Sequence, residues 1–142
     1  AYPSLDFRFH VAMTGVLGVG ADLTKYSVAD LDVMRGHVAT YKRIRPLVQQ
    51  GLRHQLPVGF DRSGVSFVSR DGSRCVVFAF ATRVQHSQVR ALIPVLGLDD
   101  GSTYRDPATG RVYGGALLRT RGLEVTLPGD CTSALVALDR VG

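Results

Sequence analysis

Tryptophan is missing from this sequence and lysine nearly so: Lys25 and Lys42 stand against 15 Arg in a chain of 142 residues. Without Trp the broadest aromatic platform is gone, and any stacking falls to Tyr or Phe. Cysteine is scarce too. Cys75 and Cys131 lie far apart and outside any C-x-x-C spacing, which removes the pattern of a zinc site. Cys75 sits in the apolar run Cys75-Val76-Val77-Phe78, where a buried, reduced thiol is expected rather than a disulfide. His10, His37, His54 and His86 are dispersed, with no H-x-x-x-H spacing, so no metal is expected. No apolar run approaches the roughly 18 residues that cross a bilayer, so no membrane partner is expected. There is no initiator Met, and Ala1–His10 mixes Asp6, Arg8 and His10 among its apolar residues, unlike a signal peptide. An internal or processed start is expected, with a cytoplasmic location.

The net charge of +5 points weakly toward nucleic acid. The arginines are scattered, however, and only Lys42-Arg43-Arg45 cluster. They read as solvated faces, and no nucleic-acid partner is expected. What is abundant is apolar material: 45% of residues are hydrophobic and 20% charged. That is ordinary for a folded domain and enough for a core without disulfides.

The chain divides by texture. Residues 1–51 read as helix, strand, helix; residues 55–142 read as short strands with turns. Gln50-Gly51-Leu52-Arg53-His54 is the expected linker. The second helix is the clearest element. Ser27 suits its N-cap, with Asp30 three residues on as a weakened capping box. Leu31, Met34, Val38, Tyr41, Ile44 and Val48 form one stripe at steps of three and four. Pro46 lacks an N–H and should end or kink the helix near Arg45, with Gly51 as C-cap. Phe7–Met13 has helical spacing at Phe9 and Met13. Between the helices, Val16, Leu17, Val19 and Leu23 form a glycine-cut apolar run suited to a strand buried on both faces. This order fits one slice of an α/β architecture, yet the chain offers no parallel neighbours for that strand.

The second half is antiparallel in character. Ser66–Arg70 and Arg74–Ala81 flank the hairpin signal Asp71-Gly72. Val89–Leu98 is interrupted by Pro94, which argues for an edge or a bulge. Thr103–Asp106 and Arg111–Tyr113 flank the turn Pro107-Ala108-Thr109-Gly110. Ala116–Thr120, Leu123–Leu127 and Ser133–Leu138 are the remaining strand expectations. Leu123, Val125 and Leu127 alternate with polar residues, and Ala134, Val136 and Leu138 should face inward. Many short strands indicate a β-sandwich or open barrel.

Several stretches, in order, resemble family-36 glycoside hydrolases of the alpha-galactosidase (melibiase) type. Phe7-Arg8-Phe9-His10-Val11-Ala12-Met13 with Gly15-Val16-Leu17-Gly18 resembles the entry to the family's last barrel strand. Gly20-Ala21-Asp22-Leu23-Thr24-Lys25-Tyr26-Ser27 is similar to its G-G-D-L-T-K-W-S, and Val38–Gln49 to its V-A-x-Y-K-E-I-R-P-L-V-Q helix. Asp71-Gly72-Ser73-Arg74 with Val76–Phe80, Leu96-Gly97-Leu98-Asp99 with Tyr104-Arg105, and Gly129-Asp130 with Ser133-Ala134-Leu135-Val136 resemble pieces of its C-terminal β-domain. Ala21, Tyr26, Arg43 and Cys131 depart from the family pattern.

The resemblance implies hydrolysis of terminal alpha-D-galactosyl groups of oligosaccharides with retention of configuration. The implied fold is mostly β: a C-terminal antiparallel β-sandwich (residues 55–142) preceded by the last helix-strand-helix segment of a (β/α)8 barrel (residues 1–51). Retention needs two carboxyl groups about 5–5.5 Å apart. In the family both are aspartates of earlier barrel strands, so no catalytic residue carries over onto this chain, and alone it is expected to be inactive. No cofactor is implied. An alpha-galactoside would be met through the rest of the barrel, and residues 1–51 should pack against that barrel or self-associate. Asp22, at the end of a barrel strand, is the substrate-binding candidate, against the simpler reading that it caps local backbone. Gly18-Val19-Gly20 either lets backbone approach a sugar or relieves crowding in the barrel. Asp99-Asp100 reads as turn chemistry. An independent carbohydrate-binding module is the alternative, with Tyr104 and Tyr113 as its platforms.

Overall fold

The computed structural model describes residues 3–15, 18, 22–59, 61–82 and 90–141. Helix α1 (Leu5–Met13) and a 3-10 turn (Leu23–Lys25) precede the long helix α2 (Val28–Gln50). Strands β1 (Leu52–Gln55), β2 (Arg62–Val68), β3 (Arg74–Ala81), β4 (Arg90–Ile93), β5 (Thr103–Arg105) and β6 (Val112–Gly114) follow. The short helix α3 (Gly115–Thr120) then leads to β7 (Leu123–Thr126) and β8 (Thr132–Val141). The expected strand across residues 16–23 lies outside the described residues at 16, 17 and 19–21, as does His86.

Both helices start on serine caps. Ser4 accepts the Phe7 N–H at 3.0 Å, and Ser27 accepts that of Asp30 at 3.1 Å. Each satisfies one of the amides that a helix start leaves unpaired. The expected end of the second helix near Arg45 does not occur: α2 continues through Pro46 to Gln50. Lys42, whose carbonyl loses its partner, and Pro46 itself are exposed, so water can take the vacant acceptor. Leu47 and Val48 are buried and hold the last turn down. Gly51 caps the end, its N–H bonded to the Leu47 carbonyl at 2.9 Å.

Six antiparallel strands form one sheet in the order β1-β2-β3-β8-β5-β6, and β4 pairs with β7 in a second. The large sheet is covered on both faces. Helices α1 and α2 cover one, burying Phe9, Met13, Met34, Tyr41 and Ile44 against Phe67, Val76, Phe78 and Phe80. The two-stranded sheet and α3 cover the other, burying Ile93, Leu118, Leu123, Val125 and Leu127 against Val68, Val77, Tyr104 and Leu138. Double coverage explains why β2 and β3 are buried along most of their length, without the alternation of a half-exposed strand, and why β3 reads as an apolar run. Ala134, Val136 and Leu138 do share a face, packed on the aliphatic layer.

Three further expectations change. Leu52-Arg53-His54, expected as linker, belongs to edge strand β1, placed by its register Leu52↔Val68 through Gln55↔Val65. Ala116–Thr120, expected as a strand, lies in α3. Ala, Leu and Arg favour a helix, and the turn starts at Gly115, where an added Cβ would overlap the Asp99 carbonyl. Beyond Val89, which lies outside the described residues, the Val89–Leu98 strand stops at Ile93. Pro94 cannot donate to a ladder, and Val95 gives its N–H to the Leu118 carbonyl at 2.9 Å. No helix among the described residues is long and apolar enough to cross a membrane.

Candidate functional site

Asp22 caps the 3-10 turn. Its Oδ1 accepts the Thr24 N–H at 3.1 Å and the Thr24 hydroxyl at 2.6 Å. The hydroxyl and then the amide hold its carboxyl below the usual range, so it is anionic at neutral pH. The side chain is exposed, and both bonds fall on one oxygen. The geometry is that of a local cap.

The other prominent carboxylates are committed to turns or ion pairs. Asp99 accepts from the Gly101 N–H (3.2 Å) and the Ser102 hydroxyl (2.7 Å). Asp100 is held by Arg119 through two bonds of 2.9 and 2.8 Å. Asp71 accepts from the Ser73 hydroxyl and amide and from the Ser69 hydroxyl, which drives its carboxyl far below the ordinary range. Buried Asp106 caps the Pro107–Gly110 turn by accepting the Ala108 N–H at 2.8 Å. Asp71, Asp99 and Asp106 make Asx-type turns; Asp99 is turn chemistry as expected, whereas Asp100 is held by its ion pair with Arg119.

Tyr104 is not a platform for a ligand. It is fully buried; its hydroxyl accepts the Asp99 N–H at 3.0 Å and donates to the Gly72 carbonyl at 3.4 Å. Tyr113 is half-buried against the same core. Cys75 is buried and unpaired, its thiol pushed up to about 12 by burial, which keeps it protonated and unreactive. Cys131 is also a free thiol. A groove of about 440 Å³ runs between the C-terminal end of α2 and the β2–β3 turn, lined by Pro46, Gln50, Arg70 and Arg74 among others. There the Arg70 Nε–H donates to the Gln50 carbonyl at 3.1 Å, as a cation does at a helix C-terminus.

Histidine is where the fold departs most from the sequence pattern. His10 and His37, dispersed in sequence, meet edge-to-face with ring centroids 5.2 Å apart. His37 lies 2.6 Å from Asp6, and His10 lies 2.6 Å from the Ser133 hydroxyl. The sequence offers one hint, since Asp6 and His10 are one helical turn apart. Nothing local points to His37 or Ser133.

The description of the glycosyl hydrolase family 36 C-terminal domain matches residues 62–138, more than half of the chain. The chain belongs to glycosyl hydrolase family 36. The family-36 match opens at the first residue of β2 and closes inside β8, so it takes in both sheets apart from β1. Alpha-galactosidase AgaA of Geobacillus stearothermophilus is 35% identical over 127 residues, 88% of this chain and 17% of the relative. Alpha-galactosidase 2 of Hypocrea jecorina is 30% identical over 141 residues, 96% of this chain and 19% of the relative. A crystal structure of an AgaA variant in complex with 1-deoxygalactonojirimycin superposes with a TM-score of 0.92 at 31% identity, over 99% of this chain and 20% of that one. The chain therefore spans a fifth or less of the length of these family-36 relatives. Asp22, His10 and His37 lie outside the matched domain; Ser133 lies within it.

Proposed function

We propose that this chain is the C-terminal part of an alpha-galactosidase that removes terminal alpha-D-galactosyl residues from oligosaccharides with retention of configuration. The two carboxylates that retention requires come from the rest of the enzyme. Residues 1–51 close its (β/α)8 barrel, and residues 55–142 form the β-domain against it. The observation that carries this reading is the superposition of 99% of the chain, at a TM-score of 0.92, on one fifth of an alpha-galactosidase complexed with 1-deoxygalactonojirimycin. The engagement of Asp71, Asp99, Asp100 and Asp106 in turns and ion pairs supports placing the chemistry elsewhere. Asp22, exposed at the end of the expected barrel strand, is the residue of this chain that would border the galactose pocket. The enzyme would act in the cytoplasm, and the alpha-galactoside would be bound by the barrel.

The chain alone should not turn over a chromogenic alpha-galactoside. Grafted in place of the corresponding fifth of AgaA, it should support retaining hydrolysis. Turnover by the isolated 142 residues, or a folded chimera that binds no galactoside, would overturn the proposal.

A further inference from the structure

The junction of α1, α2 and β8 strings four polar side chains from solvent into the interior. Asp6, 62% exposed, meets His37 Nε2 at 2.6 Å. His37 stacks on Phe9 with centroids 5.1 Å apart and stands edge-to-face with His10. His10 is only 9% exposed. Its Nδ1 lies 2.6 Å from the Ser133 hydroxyl on β8, and its ring edge meets Phe78 of β3 at 6.2 Å. His10 thus adds a polar contact between α1 and the sheet to the apolar packing of Phe9 and Met13 and the Phe7–Phe80 ring contact at 5.6 Å. We propose that the His10–Ser133 contact, backed by His37 and Asp6, is an acid-labile clasp that fixes α1 on the sheet near neutral pH and releases it on acidification.

Neutral imidazole suits the site. It carries one donor and one acceptor, and a serine hydroxyl satisfies either. A proton on His10 would leave a charge in the interior beside the Phe78 ring. Among the described residues, the titratable groups facing it are Asp6 on its own helix and His37 on α2; β8 and β3 present the uncharged Ser133 and Phe78. Asp6 is engaged with His37 and cannot also neutralise His10 at contact distance. Burial first, then the like charge of His37, lower His10 from 6.5 to about 4, with Asp6 opposing. Its folded value is thus depressed. The docked state binds fewer protons than the released one between those two values, so docking is fully stable above pH 6.5 and weakens as pH falls toward 4.

Release is local because α1 is the weak part. Its nine residues are too few for an independent helix, and only Phe9, His10 and Met13 of them are buried. β3 and β8 are locked by eight paired positions, Arg74↔Asp139 through Ala81↔Thr132.

Hydrogen exchange on the chain at pH 7 and pH 4.5, corrected for intrinsic rates, tests this. Protection of the α1 amides should fall by about two orders of magnitude while that of β3 and β8 holds. His10→Gln should remove the pH dependence. An NMR titration of the unaltered chain gives the His10 midpoint without relying on a variant that may not fold. Equal α1 protection at both pH values, simultaneous loss from α1 and the sheet, an unchanged pH dependence in a folded His10→Gln, or a His10 midpoint near 6.5 would each overturn the proposal.

Discussion

On the helix-covered face of the six-stranded sheet, Phe9, Tyr41, Phe67, Phe78 and Phe80 are buried together. On the opposite face Tyr104 is the single buried aromatic of the cluster among the described residues, and the rest are Leu, Val, Ile, Ala and Cys. The aromatic face bridges helix to sheet with large rings: Phe78 meets Phe67 and His10 edge-to-face and stacks in parallel with Phe80 at 6.4 Å. The aliphatic face is closed by backbone instead. Gly115 lies against the Asp99 carbonyl, and at Gly122 (φ +99°) a Cβ would come within 2.8 Å of the Ile93 carbonyl carbon. Side-chain volume sets one layer and backbone approach the other, so different substitutions should break each.

Phe78→Ala should have the largest effect. The side chain is fully buried at the centre of the aromatic face, and such truncations cost about 3–5 kcal/mol through lost burial and the cavity left behind. Urea unfolding measures the loss, and hydrogen exchange locates it: α1 should lose protection. Leu138→Ala, on the aliphatic face, should cost about 2–5 kcal/mol and leave α1 protected. Equal loss of α1 protection in both variants would mean that the two faces form one cooperative unit.

Backbone closeness is tested next by Gly115→Ala. The new methyl has no room without moving the Asp99 backbone, and overpacking of this kind costs about 1–3 kcal/mol in urea unfolding. Gly36, exposed on α2 with nothing near its Cβ position, is the matched control. There Ala should stabilise by about 0.5–1 kcal/mol, because glycine is a poor helix former. If Gly115→Ala is as harmless as Gly36→Ala, the aliphatic layer has slack that the structure does not show.

The two faces were also unequally legible in the sequence. The apolar stripe of α2 is a local, periodic signal, and its buried Met34, Tyr41, Ile44 and Val48 were readable from spacing alone. The Asp71-Gly72 hairpin and the Pro107–Gly110 turn were readable from turn chemistry. β1 was not: Leu-Arg-His-Gln has no strand pattern, and only its pairing with β2 makes it one. The apolar residues of α3 were ambiguous between helix and strand until Gly115 fixed the approach to Asp99. Pro46 misled because the carbonyl it leaves unpaired lies on an exposed face where water can serve it, while burial of Leu47 and Val48 holds the turn beyond it. As to the site, the role of Asp22 as a cap was legible because capping is local. The His10–His37–Ser133 cluster was not, since 123 residues separate His10 from Ser133.

The smallest destabilisation should come from Ser27→Ala. Its hydroxyl satisfies one amide at the start of α2, and caps of this type are worth about 1 kcal/mol. The first turn of α2 is exposed: Val28, Ala29 and Asp30 bury nothing. The variant should therefore fray that turn without touching Met34, Tyr41 or the aromatic face. Exchange at the Asp30 and Leu31 amides, which bond to Ser27, should rise while that at Tyr41–Val48 stays constant. Ser27→Asp should restore it, since aspartate caps equally well and suits the positive end of the helix dipole. Should Ser27→Ala instead loosen α2 along its whole length, the helix would be held to the sheet as much by its cap as by its rings, and side-chain volume would no longer explain that face.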